Sequence, residues 1–67
     1  MTGDELLRTL RRLGCEVLRQ RGSHVRLRCG ECLATVPVHA GRDIAVGTLR
    51  SIERQLERCL GKGWLRR

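Results

Sequence analysis

The sequence predicts an α+β domain of element order αβββα, a three-stranded antiparallel sheet with two helices on one face. Three features carry this prediction: an apolar stripe at helical spacing near each end of the 67-residue chain, strict apolar/polar alternation over residues 23–29, and a Cys-Gly-Glu-Cys segment that fits a two-residue hairpin turn. At this length residues 1–67 read as one domain. A chain near sixty residues buries only about 60% of its unfolded surface, so the core is a single thin layer and a large substrate binds on the outside.

Thr2-Gly3-Asp4-Glu5 has the spacing of a capping box, so a first helix begins there. Leu6, Leu7, Leu10 and Leu13 form its apolar stripe, and Gly14 supplies the stop. A first strand is expected over residues 15–20, with Arg21-Gly22 as the turn that follows. In the second strand Val25, Leu27 and Cys29 point one way and His24, Arg26 and Arg28 the other, because successive strand side chains alternate. Gly30-Glu31 as a turn sets Cys29 opposite Cys32; Leu27 then meets Ala34 and Val25 meets Val36, apolar against apolar. The other face of the ribbon carries His24, Arg26, Arg28, Leu33, Thr35, Pro37 and, just past the strand end, His39.

Residues 40–47 hold two glycines and the Arg42-Asp43 pair and read as an ordered loop. Thr48 is the expected N-cap of a second helix, in which Leu49, Ile52, Leu56 and Leu60 face the core and Arg50, Arg54 and Arg58 face solvent until Gly61 and Gly63 end it. The remainder, residues 61–67, is expected to be a loose tail. Val25, Leu27, Ala34, Val36, Leu6, Leu10, Leu49, Ile52 and Leu56 should share one core. Both helices on one sheet face, with the other face open, is the layout of a double-stranded-RNA-binding domain (dsRBD).

Cations outnumber acids 14 to 7, giving a net charge of +7, and 13 of the 14 are arginine. The guanidinium fork matches phosphate oxygens, which points to a polyanion as partner, although an Arg-rich composition also follows from genomic base composition. Phe and Tyr are absent and Trp64 is the lone aromatic, which argues against a sheet that stacks bases on several rings. The longest apolar runs fall far short of the roughly 20 residues of a membrane span, so no membrane partner is expected. Asp4 and Glu5 stand where a secretory signal would be basic, and the expected location is the cytoplasm.

His24 follows Gly22-Ser23 and lies on the Arg-rich open face, where an imidazole can act as a general base. In the same register His39 falls diagonally across from it, at a Cα spacing of about 7–8 Å that a phosphodiester can bridge. His24 would take the proton of a ribose 2′-hydroxyl while Arg26 or Arg28 stabilises the charge that builds on the attacked phosphate. His39 is the candidate second acid/base or substrate-orienting group. Asp43 is single and the Glu residues are scattered, so no magnesium site, and no cofactor of any kind, is expected. Cys29-Gly30-Glu31-Cys32 has the form of half a zinc site, but Cys15 and Cys59 are not spaced as the other half. Zinc at Cys29 and Cys32 is therefore the weaker reading beside plain thiols, and a disulfide fits an organism that keeps them in its cytoplasm, such as a thermophile.

Gly22-Ser23-His24, Thr35-Val36-Pro37-Val38-His39, Arg42-Asp43 and Gly47-Thr48-Leu49-Arg50-Ser51-Ile52, in that order, resemble the HicA-type mRNA interferase toxins, also called the YcfA-like family. The resemblance runs over about residues 4–56. It implies a dsRBD-like fold, endoribonuclease activity on mRNA that blocks translation, a catalytic histidine at His24, and neutralisation by a HicB-type antitoxin. Ser23, Arg26, Arg28 and Arg50 are the candidate RNA contacts, Arg26 and Arg28 by strand parity and not by the resemblance, and Arg50 also reads as a solvated helix charge. The chain departs from the family at Cys15, where an aromatic is common, at Val46, where a proline often precedes the glycine, and at the Cys-x-x-Cys turn, which replaces a polar one. Two other classes fit the same pattern: a non-catalytic double-stranded RNA-binding module, and a basic module that docks an acidic protein.

Overall fold

A computed structural model describes residues 1–66. Helix α1 (Gly3–Arg12) is followed by strands β1 (Glu16–Arg21), β2 (His24–Cys29) and β3 (Cys32–Pro37), helix α2 (Val46–Leu60) and a 3₁₀ turn (Trp64–Arg66). The architecture is the expected αβββα. The strands lie in the order β1-β2-β3, antiparallel throughout.

Local chemistry explains the elements. At the start of α1 the Thr2 hydroxyl accepts the Glu5 N–H at 3.2 Å and the Glu5 carboxylate accepts the Thr2 N–H at 2.8 Å, completing the capping box. That donated backbone N–H, with help from the Thr2 side chain, holds the Glu5 carboxyl below its ordinary range. The β2–β3 ladder has the register expected from the apolar pairs: His24 opposite Pro37, Val25 opposite Val36, Leu27 opposite Ala34 and Cys29 opposite Cys32. Both hairpins turn on a leading glycine in the left-handed region, Gly22 at φ 58° and Gly30 at φ 60°, a conformation that a side chain would strain.

The core lies between one sheet face and the two helices. Leu6, Leu10, Leu27, Ala34, Val36, Ile52 and Leu56 share it, Val25 is buried, and Leu49 packs against its edge. Leu13, expected in the stripe of α1, is instead the C-cap and is exposed. Two core residues come from segments without helical or strand periodicity. Ile44 is drawn in from the loop before α2, where its N–H donates to the Met1 carbonyl at 2.8 Å.

Trp64 is the other, and it overturns the expected loose tail. Its ring is 2% exposed and its Nε1–H donates to the Glu53 carbonyl at 2.8 Å, so the segment after α2 folds back as a lid on the helix. Arg67, the last residue of that segment, lies outside the described residues. Helix α2 also starts earlier than expected. Its N-cap is Ala45, whose carbonyl accepts from Leu49, and Thr48 sits inside the first turn. Val46, where the family often has proline, is the first helical residue, the position at which proline is best tolerated.

Cys29 and Cys32 are not available to zinc. Cys29 is bonded to Cys15 and Cys32 to Cys59, and among the described residues no cysteine is free. The cysteines still behave as core residues, since Cys15, Cys29 and Cys32 are all buried. One bridge ties the start of β1 to the end of β2 and the other ties β3 to the last turn of α2, so the end of the sheet far from His24 is doubly fastened.

Gly3 marks the closest approach of helix to sheet. A Cβ built there would stand 2.4 Å from the Pro37 carbonyl oxygen and 2.9 Å from the Val38 Cα, both backbone atoms that cannot swing aside. Gly3→Ala is expected to lower stability by about 1–3 kcal/mol, the usual penalty of overpacking, and so to lower the melting midpoint by at least about 4 °C. An unchanged midpoint in a thermal scan would show that the helix start slides freely over the end of β3.

Candidate active site

The open face of the sheet is built in cross-strand rows. In β2, His24, Arg26 and Arg28 project to this side because Val25, Leu27 and Cys29 occupy the core. Across β3 the rows continue as His24–Pro37, Arg26–Thr35 and Arg28–Leu33. Across β1 they continue as Arg21–His24, Arg19–Arg26 and Glu16–Arg28.

The β1 half of these rows depends on an irregularity. Val17 pairs with Leu27, but the next pair is Arg19 with Arg26, so Leu18 is an extra residue in the ladder. Residues beyond such a bulge change face. Regular alternation from Val17 would send Arg19 and Arg21 toward the helices, whereas the bulge turns them to the open side. The β1–β2 turn is Gly22-Ser23, not Arg21-Gly22, which keeps Arg21 in the strand and directly opposite His24.

The result is a depression of about 240 Å³ lined by Arg19, Arg21, His24, Arg26 and Thr35. His24 is exposed at its rim. Arg26 is half-buried and its Nη1 donates to the Thr35 hydroxyl at 3.0 Å, which fixes the guanidinium. No carboxylate lines the depression. Such a site presents fixed positive charge and hydrogen-bond donors around one imidazole, which suits an oxyanion held beside a proton acceptor.

The other expected site residues are distributed differently. Arg28 is paired with the Glu16 carboxylate and does not line the depression. Ser23 is in the turn beside His24, and its carbonyl accepts the Val38 N–H at 2.6 Å, extending the ladder one pair beyond Pro37. His39 follows that pair and lies outside β3. It is exposed and belongs to a second depression of about 290 Å³, with Pro37, Arg42, Asp43 and Thr48 among its lining. The two histidines line different depressions, and Pro37, opposite His24 in the ladder, lines the His39 side. Arg50 is farther removed. It is exposed on α2 and lines a larger hollow of about 470 Å³ between that helix and the 3₁₀ turn, together with Glu53, Arg54, Glu57, Lys62 and Arg66.

Sequence reasoning missed Arg19 and Arg21 because strand parity alone gives them no place on the His24 face. Only the bulge does. Thr35 was placed on the correct face by parity, but its bond to Arg26 needs side-chain coordinates.

Among the described residues no helix is long and apolar enough to cross a membrane. No curated protein and no solved structure matches the chain. A family profile, that of the HicA toxin of bacterial toxin–antitoxin systems, matches residues 3–57, a span that begins with α1 and includes the whole sheet, the loop after it and most of α2. With the match covering well over half of its length, and with His24 and the depression around it inside the matched span, the chain belongs to the HicA toxin family of bacterial toxin–antitoxin systems.

Proposed function

We propose that this toxin is a metal-independent endoribonuclease that cuts mRNA and so blocks translation, with His24 as the general base. The observation that carries the reading is the exposed His24 imidazole set among Arg19, Arg21 and Arg26 on the open sheet face. The His24 ring takes the proton of a ribose 2′-hydroxyl. The 2′-oxygen then bonds to the adjacent phosphorus as the bond from phosphorus to the 5′-oxygen breaks, leaving a 2′,3′-cyclic phosphate and, once protonated, a 5′-hydroxyl. Arg26 stabilises the extra negative charge of the pentacoordinate phosphorane, a role supported by its hydrogen bond to Thr35 beside His24. Arg28, engaged by Glu16, is the weaker candidate of the two for that role.

The partner that restrains the toxin is a HicB-type antitoxin, for which a basic face on a chain of net charge +7 is a natural docking surface. His39, in its own depression, serves to orient the substrate strand leaving the His24 site.

The test is incubation of the purified chain with structured and with unstructured RNA in the presence of a strong chelator. Cleavage that survives the chelator is expected. Tight binding with no cleavage, with or without added divalent ions, would replace the enzyme by a non-catalytic RNA-binding module.

A further inference from the structure

We infer that the bulge in β1 exists to complete a phosphodiester clamp, in which Arg19 and Arg21 join Arg26 to grip the RNA backbone beside His24. The inference rests on the ribonuclease reading of that depression and names what the site holds: a backbone phosphate, not a base.

Four observations converge. Arg19 and Arg26 are directly opposite each other across β1 and β2, and like charges in that relation are destabilising unless something compensates them. Nothing among the described residues does. Among the described residues neither the Arg19 nor the Arg21 side chain makes a hydrogen bond or ion pair, and Glu16, the one carboxylate in β1, is engaged with Arg28. An external anion is the missing partner.

The bulge itself is the second observation. The extra residue, Leu18, is 46% exposed, so the irregularity does not serve to bury an apolar side chain. What it does achieve is to turn Arg19 and Arg21 onto the His24 face. Third, Thr35 occupies only one N–H of the Arg26 fork, which leaves the remaining donors for a ligand. Fourth, the depression, at about 240 Å³, is lined entirely by polar side chains, three of them guanidinium groups. Phosphate oxygens would meet charge-assisted guanidinium donors from both strands there. The clamp therefore positions RNA without reading its sequence.

The experiment compares the parent with Arg19→Gln, Arg21→Gln and, as a control for bulk charge, Arg12→Gln on α1, using a single-stranded RNA for cleavage and its fully 2′-O-methylated, uncleavable version for binding. Arg19, Arg21 and Arg12 are all exposed, so the folds are expected to hold, and circular dichroism confirms it. Arg19→Gln is expected to weaken binding and raise KM by about 10-fold or more, the loss of a charge-assisted phosphate contact, with kcat changed less. The slope of log affinity against log salt is expected to become shallower by about 0.7, the value for one phosphate contact on a single strand, while Arg12→Gln keeps the parental slope. Arg19→Lys, which keeps the charge but loses the fork, is expected to restore the slope and only part of the affinity.

Arg19→Gln and Arg21→Gln variants indistinguishable from Arg12→Gln in both slope and KM would overturn the clamp. If the parent does not cleave at all, the ribonuclease reading falls, and the slopes measured on the methylated RNA still decide whether the clamp binds a phosphate.

Discussion

His24→Ala is expected to slow RNA cleavage by about 10²- to 10⁴-fold, the usual contribution of a general acid or base, and to abolish growth arrest on expression. The loss is expected to be chemical and not structural. His24 is exposed at the first residue of β2, and substitutions at such positions change stability by no more than about 0.5 kcal/mol, so the melting midpoint and antitoxin binding should stay close to those of the parent. His39→Ala is expected to be milder, because His39 lies beyond the end of β3 in a separate depression. Cleavage time courses on one RNA at saturating enzyme separate the two variants. Equal losses would mean that His39 takes part in proton transfer, with the loop before α2 closing over the sheet.

Reduction is expected to bring the second large effect. The bridges span sequence separations of 14 and 27 residues, which in the chain-entropy account correspond to about 3 and 3.5 kcal/mol of constraint on the unfolded state. A 67-residue domain is typically stable by only about 3–10 kcal/mol in total. Removing both bridges therefore takes away a large share of the stability. Treatment with dithiothreitol is expected to lower the melting midpoint by about 10 °C per bridge or more, and replacing all four cysteines by alanine to leave a protein that is largely unfolded near 40 °C. A midpoint shift of less than about 3 °C on full reduction would show that the thin core of Leu6, Leu10, Leu27, Val36, Ile52 and Leu56 is sufficient without the bridges.

The parts of this protein that were readable in the sequence are those governed by period and pairing. The alternation from His24 to Cys29, together with a turn that begins on Gly30, fixes one register in which every core pair is apolar, and any slip by one residue would bury Arg26 and Arg28. His24 was placed on the open face for the same reason. Features that depend on an exception to a period were not readable. The bulge at Leu18 leaves no mark in the sequence, so Arg19 and Arg21 were assigned no role.

Burial by irregular segments was equally hidden. A short segment ending in Trp64-Leu65-Arg66 has no amphipathic pattern, and only the hydrogen bond from the indole to Glu53 shows why it folds back. Thr48 illustrates a third kind of miss. It has the right chemistry for an N-cap, yet the helix begins at Val46, capped by the Ala45 backbone, after a loop that the Ile44 N–H pins to the Met1 carbonyl. The cysteines reverse the lesson. Their spacing suggested half of a zinc site, but Cys29 and Cys32 are cross-strand neighbours that each bond outward, to Cys15 and to Cys59, and spacing carries no information about those distant partners.

The central claim is that His24 activates a 2′-hydroxyl, and it is tested most directly by removing that hydroxyl. An RNA carrying a single 2′-deoxyribose on the 5′ side of the cleaved phosphate, incubated with the parent enzyme and a chelator, should remain intact at that bond while the all-ribose RNA is cut there to leave a 2′,3′-cyclic phosphate. Cleavage of the deoxy-substituted bond at the parental rate, or products ending in a 5′-phosphate, would contradict the account.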